Sequence, residues 1–178
     1  DTIRLVCLNK GFTLEQFRAA VETARRYDIG IRAYVLVGPP FLTERDALMD
    51  AVSTILDAAD MGVTTVSVNP VNVQRHTLVE LLWNRGQYRP PWLWTVVEVL
   101  KTTRQRVPDD IRIECEPVAG GKPRGVHNCG ECDRSILAAI RQFSLSQDVS
   151  VFEHLDCRCR PQWKHALVHE DASLVIHR

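Results

Sequence analysis

Residues 30–40 read GIRAYVLVGPP, a short apolar run that starts at a glycine and ends in a Gly-Pro-Pro turn. Such a run, with little alternation of polar side chains, is typical of a strand that is buried on both faces of a sheet. Residues 63–70, VTTVSVNP, form a second β-rich run. The segment between them starts at Thr43, a good helix N-cap, and ends at Gly62, a good helix C-cap. The order strand, helix, strand predicts a parallel α/β sheet.

The same alternation extends in both directions along the chain. Residues 13–16, TLEQ, form a capping box that opens a helix, and Gly30 is its expected end. Further helices are predicted from Thr77, from Pro91 to near Arg106 and from Asp133, and further strands at DIRIECEPV (110–118) and SLVIH (173–177). Three or four strands are too few for a closed eight-stranded barrel, which takes about 250 residues. We therefore expect an α/β fold, either part of a (β/α) barrel or a small open sheet, with a C-terminal appendage.

The composition is that of a globular protein without a global charge. Hydrophobic residues make up 45% of the chain, and 22 basic residues balance 22 acidic ones. No overall field attracts nucleic acid, so any basic surface must be local. The sequence shows neither a signal peptide nor an apolar run of transmembrane length, and its six cysteines lack a secretory context. We therefore expect a reducing cytoplasm, and, because the chain begins at Asp1, a fragment of a longer protein.

Four of the six cysteines form two closely spaced pairs. Cys129 and Cys132 form a CxxC, and Cys157 and Cys159 form a CxC. Each pair supplies two thiolates from one turn, and the gap between the pairs lets the chain close around an ion. The pattern favours a four-thiolate zinc site, and iron–sulfur is the other metal chemistry that thiolates select. A redox CxxC at a helix start explains only one pair, and unliganded thiols are the remaining alternative.

Other cysteines and histidines have simpler interpretations. Cys7 and Cys115 lie in apolar periodic segments, so we expect buried core thiols. His127 and His154 are candidates to replace one thiolate in the metal site.

Three loops carry groups that suit a polar ligand. In GGKPRG (120–125), glycines let backbone amides approach an anion, and Lys122 and Arg124 add charge, although a flexible solvated loop fits equally well. VGPPFLTE (37–44) and NPVNVQRHT (69–77) follow the first two predicted strands, at the edge where parallel α/β proteins bind ligands. Structural turns are the alternative for both.

The sequence also resembles a known enzyme family. Residues 30–48 are similar to the fifth-strand motif of radical-SAM enzymes, and residues 69–91 to the sixth-strand segment of the elongator catalytic-subunit family. Together with NKGFT, PPFLTER, NPVNVQR, YRPPWLW and GGKPRGVHNCGECD, they most resemble the radical-SAM subunit of archaeosine synthase. The resemblance covers nearly the whole chain and predicts a partial (β/α) barrel of the radical-SAM type with a cysteine-rich metal-binding appendage.

This resemblance implies a concrete function. The family acts with a partner subunit that attaches lysine to a 7-cyano-7-deazaguanine base at position 15 of archaeal tRNA. The radical-SAM subunit then cleaves the C–N bond of the lysine side chain and leaves the formamidine of archaeosine. Its cofactors are S-adenosylmethionine and a 4Fe-4S cluster, which reduces S-adenosylmethionine to a 5′-deoxyadenosyl radical.

One departure from the family shapes the expectation for this chain. The cluster-binding pattern CxxxCxxC, which the family carries near its N-terminus, is absent from the sequence. By resemblance, the chain begins just after the fourth barrel strand. We therefore expect residues 1–118 to be the C-terminal part of a radical-SAM barrel and residues 119–178 to be a Gly/Cys-rich extension with the metal site. Alone, such a fragment is not expected to generate a radical.

The resemblance also implies roles for two groups of residues, and it assigns no catalytic residue. The first group, expected to help hold the adenosyl part of the cofactor, is Val37, Gly38, Asn69 and Val71. The second group, expected to face the tRNA base or its phosphates, is Arg75, Lys122, Arg124, His127 and Asn128.

Two other functions stay open. The missing cluster motif favours a non-catalytic, zinc-bearing module that binds RNA or a protein partner. A radical-SAM tRNA modifier of the elongator type is disfavoured, because that family does not carry the run RGVHNCGECD.

Overall fold

The computed structural model describes residues 2–170. The strands are β1 (Arg32–Val37), β2 (Thr65–Pro70) and β3 (Arg112–Cys115). The helices are α1 (Leu14–Arg26), α2 (Glu44–Met61), α3 (Leu78–Asn84), α4 (Leu93–Arg104), α5 (Asp133–Ser146) and α6 (Arg160–His169). A short π-helical turn, Ile3–Cys7, precedes α1, and a 3-10 turn, Val149–Phe152, follows α5. The predicted strand at residues 173–177 lies outside the described residues.

The three strands form one parallel sheet in the order β1-β2-β3, so strands that follow one another along the chain are neighbours. Val35 lies opposite Val68, and Val68 opposite Cys115. Helix α2 packs on β1 and against α4, and α4 packs against α5. Sequential strands with their connecting helices in one row are the arrangement found in a (β/α) barrel, whereas a doubly wound sheet reverses its strand order. The predicted α/β class with a parallel sheet is confirmed.

The two faces of the sheet differ. On the helix-covered face, Ala33, Val35 and Val37 are buried. On the opposite face, Tyr34 is 63% exposed, and Arg32 bridges across the sheet to Glu114, with 2.7 Å between Nη1 and Oε2. The prediction that the first strand is buried on both faces is therefore wrong, because the described helices cover only one face.

Side chains from the last turn of α5 and from its C-cap residue close the outer edge of β3. The amide of Gln147 accepts a hydrogen bond from the Ile113 N–H at 2.8 Å and donates to the Ile113 carbonyl at 2.9 Å. The Ser144 hydroxyl does the same for the N–H and carbonyl of Cys115, at 2.9 and 3.0 Å. These four bonds replace those of a neighbouring strand and satisfy backbone groups that an edge strand leaves unpaired.

Several predicted helix ends are confirmed. Thr13 forms the capping box of α1 with Gln16, Thr43 caps α2, and Gly62 ends α2 in the left-handed conformation with φ 91°. The prediction that Gly30 ends α1 is wrong, because the helix already stops at Arg26.

Two helix starts also differ from the expected positions. Helix α4 begins at Leu93 with Trp92 as its N-cap, two residues after Pro91. Helix α5 has Cys132 at its N-cap position, and Asp133 is the first helical residue rather than the cap.

The residues after position 118 do not form a separate core. Val126, Ile136, Phe143 and Trp163 belong to the same buried cluster as the sheet and its helices. Cys115 is buried, as predicted, whereas Cys7 is only partly buried. Within the described part of the chain, no helix is both long and apolar enough to cross a membrane.

Candidate functional site

The structure brings the two cysteine pairs together. The sulfur of Cys129 lies 3.9 Å from that of Cys132 and 3.6 Å from that of Cys157, and the sulfurs of Cys132 and Cys159 are 3.7 Å apart. All four sulfurs lie within 4.8 Å of one another. We call Cys129, Cys132, Cys157 and Cys159 the four-cysteine cluster.

The local sequence explains how the first pair is presented. Gly130 adopts φ 91°, which lets the chain turn sharply between the two cysteines. The Asp133 carboxylate, at the start of α5, accepts hydrogen bonds from the N–H groups of Asn128 and Gly130 at 3.1 and 3.2 Å. These two hydrogen bonds tie the loop to the first turn of the helix.

The second pair is held at the start of α6. Cys159 occupies the N-cap position of that helix, and the Cys157 carbonyl accepts a hydrogen bond from the Arg160 N–H at 2.9 Å. Both pairs lie where a loop enters a helix, and together they bring four sulfurs to one place.

The spacing of the sulfurs fits a single tetrahedral ion. Four sulfurs at about 2.3 Å from one ion lie about 3.8 Å apart. Three of the six sulfur–sulfur separations, 3.6, 3.7 and 3.9 Å, match this value, and all six are within 4.8 Å. Among the residues that the structure describes, the group that can hold a metal consists of these four cysteines, without His127 or His154.

Two side chains donate hydrogen bonds to the sulfurs. The indole N–H of Trp94 lies 3.3 Å from the Cys159 sulfur, and the Asn128 side-chain amide lies 3.3 Å from the Cys132 sulfur. Donors of this kind orient metal ligands and tune the metal. Sequence analysis missed Trp94, because nothing near it in the chain indicates the distant cysteine.

Asn128 lies in the protein interior rather than on the predicted tRNA-facing surface. It was expected to face tRNA, yet it is only 6% exposed. Its amide oxygen accepts a hydrogen bond from the Trp94 N–H at 3.4 Å, and its amide nitrogen donates to the Cys132 sulfur. Asn128 therefore supports the four-cysteine cluster. Its position directly before the CxxC was the available sequence signal.

The thiol pKa values differ within the cluster. Burial raises the pKa of Cys132 and of Cys159. Burial also raises the pKa of Cys129, but backbone N–H groups of Cys132 and Glu131 and the neighbouring thiols donate to its sulfur and lower its pKa to about 7. Buried thiols keep their protons unless a cation displaces them, so Cys132 and Cys159 are expected to become thiolates when a metal ion binds.

The glycine-rich loop before the cluster is compact. A Cβ on Gly125 would lie 2.1 Å from the Ala119 carbonyl oxygen, so only glycine fits there. The Gly121 N–H donates to the Val126 carbonyl at 2.8 Å, and the Gly125 N–H donates to the Lys122 carbonyl at 2.9 Å. The loop is a set of tight turns rather than a flexible segment.

Arg124 fastens this loop to the rest of the fold. Its guanidinium donates to the Glu80 carboxylate at 2.7 Å and to the Val73 carbonyl at 3.2 Å, and it lies over the Trp83 ring at 4.7 Å. The side chain stays 38% exposed. The other basic residues predicted near it, Lys122 and Arg75, are exposed.

A second arginine–tryptophan pair, which the sequence did not indicate, contacts the residues that follow the loop. The Arg89 guanidinium lies 4.1 Å from the Trp92 ring and donates to the His127 carbonyl at 3.0 Å. The His127 ring nitrogen Nδ1 contacts the Gly125 carbonyl at 2.7 Å. The structure therefore places both arginines, Lys122 and His127 around one loop.

A cavity of about 560 Å³ opens at the carboxyl ends of the strands. Asn69 and Val71, two of the residues expected at the cofactor, line it together with Leu36 and Glu116. The Asn69 amide nitrogen donates to the Ser67 carbonyl at 2.8 Å, which fixes the orientation of the amide. The volume lies within the range of small-molecule sites, which is about 300–1,000 Å³.

The other two residues expected at the cofactor do not line this cavity. Val37 is fully buried on the helix-covered face. Gly38 packs beneath Pro91, where a Cβ would lie 3.0 Å from the ring, and its carbonyl accepts a hydrogen bond from the Tyr88 hydroxyl at 2.8 Å. Both residues therefore shape the turn that leaves β1.

A buried carboxyl group, Glu44, lies at the end of the same turn. Its Oε1 accepts hydrogen bonds from the Trp92 N–H at 2.9 Å and from the Thr95 hydroxyl. Burial raises the pKa of Glu44 to about 7 against the effect of these hydrogen bonds. Apart from its position at a helix start, nothing in the sequence indicated a buried acid here.

Fold and site together define an α/β protein with a sequentially ordered parallel sheet and a four-cysteine cluster suited to a metal ion. No protein-family model matches the sequence. Comparison with individual proteins is more informative. The chain is 42% identical over 171 residues to archaeosine synthase subunit beta of Methanosarcina acetivorans, which is 96% of this chain and 49% of that protein. It is 40% identical over 166 residues to archaeosine synthase subunit beta of Thermococcus kodakarensis, 93% of this chain and 51% of that protein.

The resemblance drawn from the sequence motifs is thus confirmed: the chain is a homologue of archaeosine synthase subunit beta over most of its own length. It spans about half the length of these relatives. Among solved structures, an Elp3 from Methanocaldococcus infernus, with residues 1–46 deleted, matches with a TM-score of 0.56 and 17% identity. That match covers 70% of this chain and 29% of the Elp3 chain, and it shows a likeness of fold.

Proposed function

We propose that this chain is the C-terminal part of a radical-SAM enzyme that modifies tRNA, cleaving the lysine C–N bond of the preQ0-lysine adduct to give archaeosine. The observation that carries this proposal is the 42% identity to an archaeosine synthase subunit beta over 96% of the chain.

The fold supports a section of a radical-SAM barrel. The strands follow one another in a parallel sheet, and the helices packed on it lie side by side. The likeness to Elp3 extends over 70% of the chain. The exposed face of the sheet, with Arg32, Tyr34 and Glu114, then corresponds to the barrel interior.

The strand-end cavity fits part of a cofactor site. S-adenosylmethionine, reduced by an iron–sulfur cluster, supplies the radical in the family that this sequence resembles. Asn69 and Val71 would hold the adenosyl part in the cavity, whereas Val37 and Gly38 lie outside it, in the turn that leaves β1. Because the chain has no CxxxCxxC pattern, the cluster ligands have to come from residues outside this sequence.

The surface around the glycine-rich loop suits tRNA. Arg75 and Lys122 are exposed cations, and His127 and Arg124 lie beside them on the loop. Cations attract the RNA backbone, and arginine planes stack on unpaired bases. Arg89 extends this basic surface, whereas the buried Asn128 does not take part.

The four-cysteine cluster is best suited to one structural zinc ion. In a 4Fe-4S cluster each cysteine binds a different iron, which spreads the four sulfurs over the outside of a cube. Four sulfurs that all lie within 4.8 Å of one another, with three separations of 3.6–3.9 Å, instead match four bonds to one ion. Zinc with four thiolates has no open position for a substrate, so its role is to hold the fold.

The decisive experiment is anaerobic reconstitution of the full-length enzyme together with the lysine-transferring archaeosine synthase subunit. On precursor tRNA that carries the lysine adduct, archaeosine should form, and mass spectrometry of tRNA nucleosides detects it. Persistence of the lysine adduct, with the iron–sulfur cluster and S-adenosylmethionine present, would refute the proposed reaction.

A second candidate function is a non-catalytic, zinc-bearing module that binds RNA or a protein partner. The observation that favours it is that this chain supplies all four cysteines of the cluster. If this chain alone binds tRNA with a strong salt dependence, and the reconstituted enzyme leaves the lysine adduct intact, the module is the better description.

A further inference from the structure

Residues 88–95 lie between the turn that leaves β1 and the four-cysteine cluster; we call them the bridge segment. Towards the turn, the Tyr88 hydroxyl donates to the Gly38 carbonyl at 2.8 Å. Pro91 packs against Gly38 so closely that an added Cβ would lie 3.0 Å from its ring. The Trp92 N–H donates to the Glu44 carboxylate at 2.9 Å. Both ends of the turn, residues 38–44, are thus in direct contact with the bridge segment.

The opposite side of the bridge segment contacts the cluster. The Trp94 indole N–H donates to the Cys159 sulfur at 3.3 Å, and the Trp94 backbone N–H donates to the Asn128 side chain at 3.4 Å. Asn128 in turn donates to the Cys132 sulfur. One residue of the bridge segment therefore reaches both cysteine pairs. Trp94 is only 2% exposed, which leaves its ring little freedom to move.

A third connection joins α6 to the same place. The Trp163 indole N–H donates to the Thr95 hydroxyl at 2.8 Å, and Thr95 donates to the Glu44 carboxylate. Trp163 and Thr95 are both buried. Since Cys159 is the N-cap of α6, fixing that cysteine also fixes the helix that carries Trp163.

We propose that metal binding at the four-cysteine cluster sets the position of the turn at residues 38–44, with Trp94 as the positioning residue between them. This inference rests on the proposed binding of a metal ion by the cluster. Pro90 and Pro91 restrict the backbone of the bridge segment, so a shift at the four-cysteine cluster also moves the turn. Each contact between the cluster and the turn is buried or is a direct hydrogen bond.

The consequence lies at the carboxyl edge of the sheet. The turn starts directly after β1, and ligands of parallel α/β proteins bind at this edge. Leu36, Pro40 and Asn69 line the cavity there. A metal ion that makes no contact with the ligand would therefore still shape the ligand site, through the bridge segment.

Hydrogen exchange with mass spectrometry tests this on the zinc-loaded protein, read out for residues 36–45 and, as an internal reference, residues 65–70. Trp94→Phe keeps the four cysteines but removes the indole N–H that reaches Cys159. Its expected effect is exchange at least tenfold faster in residues 36–45, unchanged exchange in residues 65–70 and an unchanged zinc content. The matched control is Trp83→Phe, because Trp83 stacks under Arg124 and not on a cysteine.

Removing zinc with a chelator should produce the same local increase in exchange in the wild-type protein. Equal exchange in residues 36–45 for Trp94→Phe and Trp83→Phe, in protein that holds its zinc, overturns this inference and leaves the proposed function standing. A protein that binds no metal at the four cysteines overturns this inference and the proposed zinc site, and it leaves the proposed tRNA reaction to be decided by the reconstitution experiment.

Discussion

Replacing Cys132 with alanine removes one of the four sulfurs and should destabilise the protein far more than replacing an equally buried cysteine elsewhere. Cys132 is 6% exposed, and its sulfur lies 3.9 and 3.7 Å from those of Cys129 and Cys159. Cys115, at the end of β3, is 2% exposed and is not among the four cysteines. Cys115→Ala is therefore the matched control, since it removes the same atoms from the core.

The two substitutions differ by the contribution of the metal. Loss of a small buried side chain costs about 1 kcal/mol in either variant. At free zinc 1,000-fold above its Kd, a bound ion adds about 4 kcal/mol to the stability of the folded state. With about 2–4 °C per kcal/mol for a chain of this size, Cys132→Ala should lower Tm by roughly 10–20 °C and Cys115→Ala by roughly 2–4 °C.

Thermal unfolding followed by circular dichroism, with metal analysis of each sample, measures this difference. Wild type should hold about one zinc per chain, and a chelator should lower its Tm by roughly 8–16 °C, to within about 2–4 °C of the Tm of Cys132→Ala. Equal Tm shifts in the two variants, or a wild-type Tm that does not respond to the chelator, would show that the four sulfurs are ordinary core thiols.

Three further outcomes follow from the geometry. Gly125→Ala should destabilise the protein by roughly 1–3 kcal/mol in chemical denaturation, because the new Cβ meets the Ala119 carbonyl oxygen at 2.1 Å, and an unchanged midpoint would mean that the loop is not packed this way. The pKa of Glu44 is raised by burial from 4.5 to about 7, so the folded state retains a proton that the unfolded state releases. Stability should fall as the pH rises from about 4.5 to about 7, and Glu44→Gln should flatten this dependence in denaturation curves across that range, whereas an unaltered pH profile would contradict the burial argument. Lys122→Ala should weaken tRNA binding and reduce the slope of log K against log salt by about 1, while Arg26→Ala at the end of α1 serves as the control and should leave both unchanged.

The parts of the fold that the sequence predicted correctly are those set by neighbouring residues. Thr13 and Thr43 cap helices, and Gly62 ends one, because these roles depend on groups three or four residues away. Whether β1 is buried on one face or on both could not be predicted from neighbouring residues. Whether Tyr34 is covered depends on elements far away in the chain, and the apolar run looks the same in either case.

For the candidate site, too, local features were predictable from the sequence and distant contacts were not. Spacing alone indicated the two cysteine pairs, since each pair is a local feature. The supporting groups, Trp94, Glu44 and Asn128, are defined by partners between 4 and 65 positions away. For Glu44 in particular, a charged residue at a helix start is usually solvent-exposed, and only the packing of α4 and α6 around it produces a buried acid.

The outer edge of β3 is closed to further strands, so the two edges of the sheet are not equivalent. Since Ser144 and Gln147 already occupy the hydrogen-bonding groups of Ile113 and Cys115, another strand cannot add there without displacing the end of α5. Any additional strand, whether from more of the same polypeptide or from another molecule, has to pair beside β1. The side chains at the β3 edge thus also protect against the edge-to-edge aggregation to which exposed edge strands are prone, and they leave a single side on which a larger sheet can be assembled.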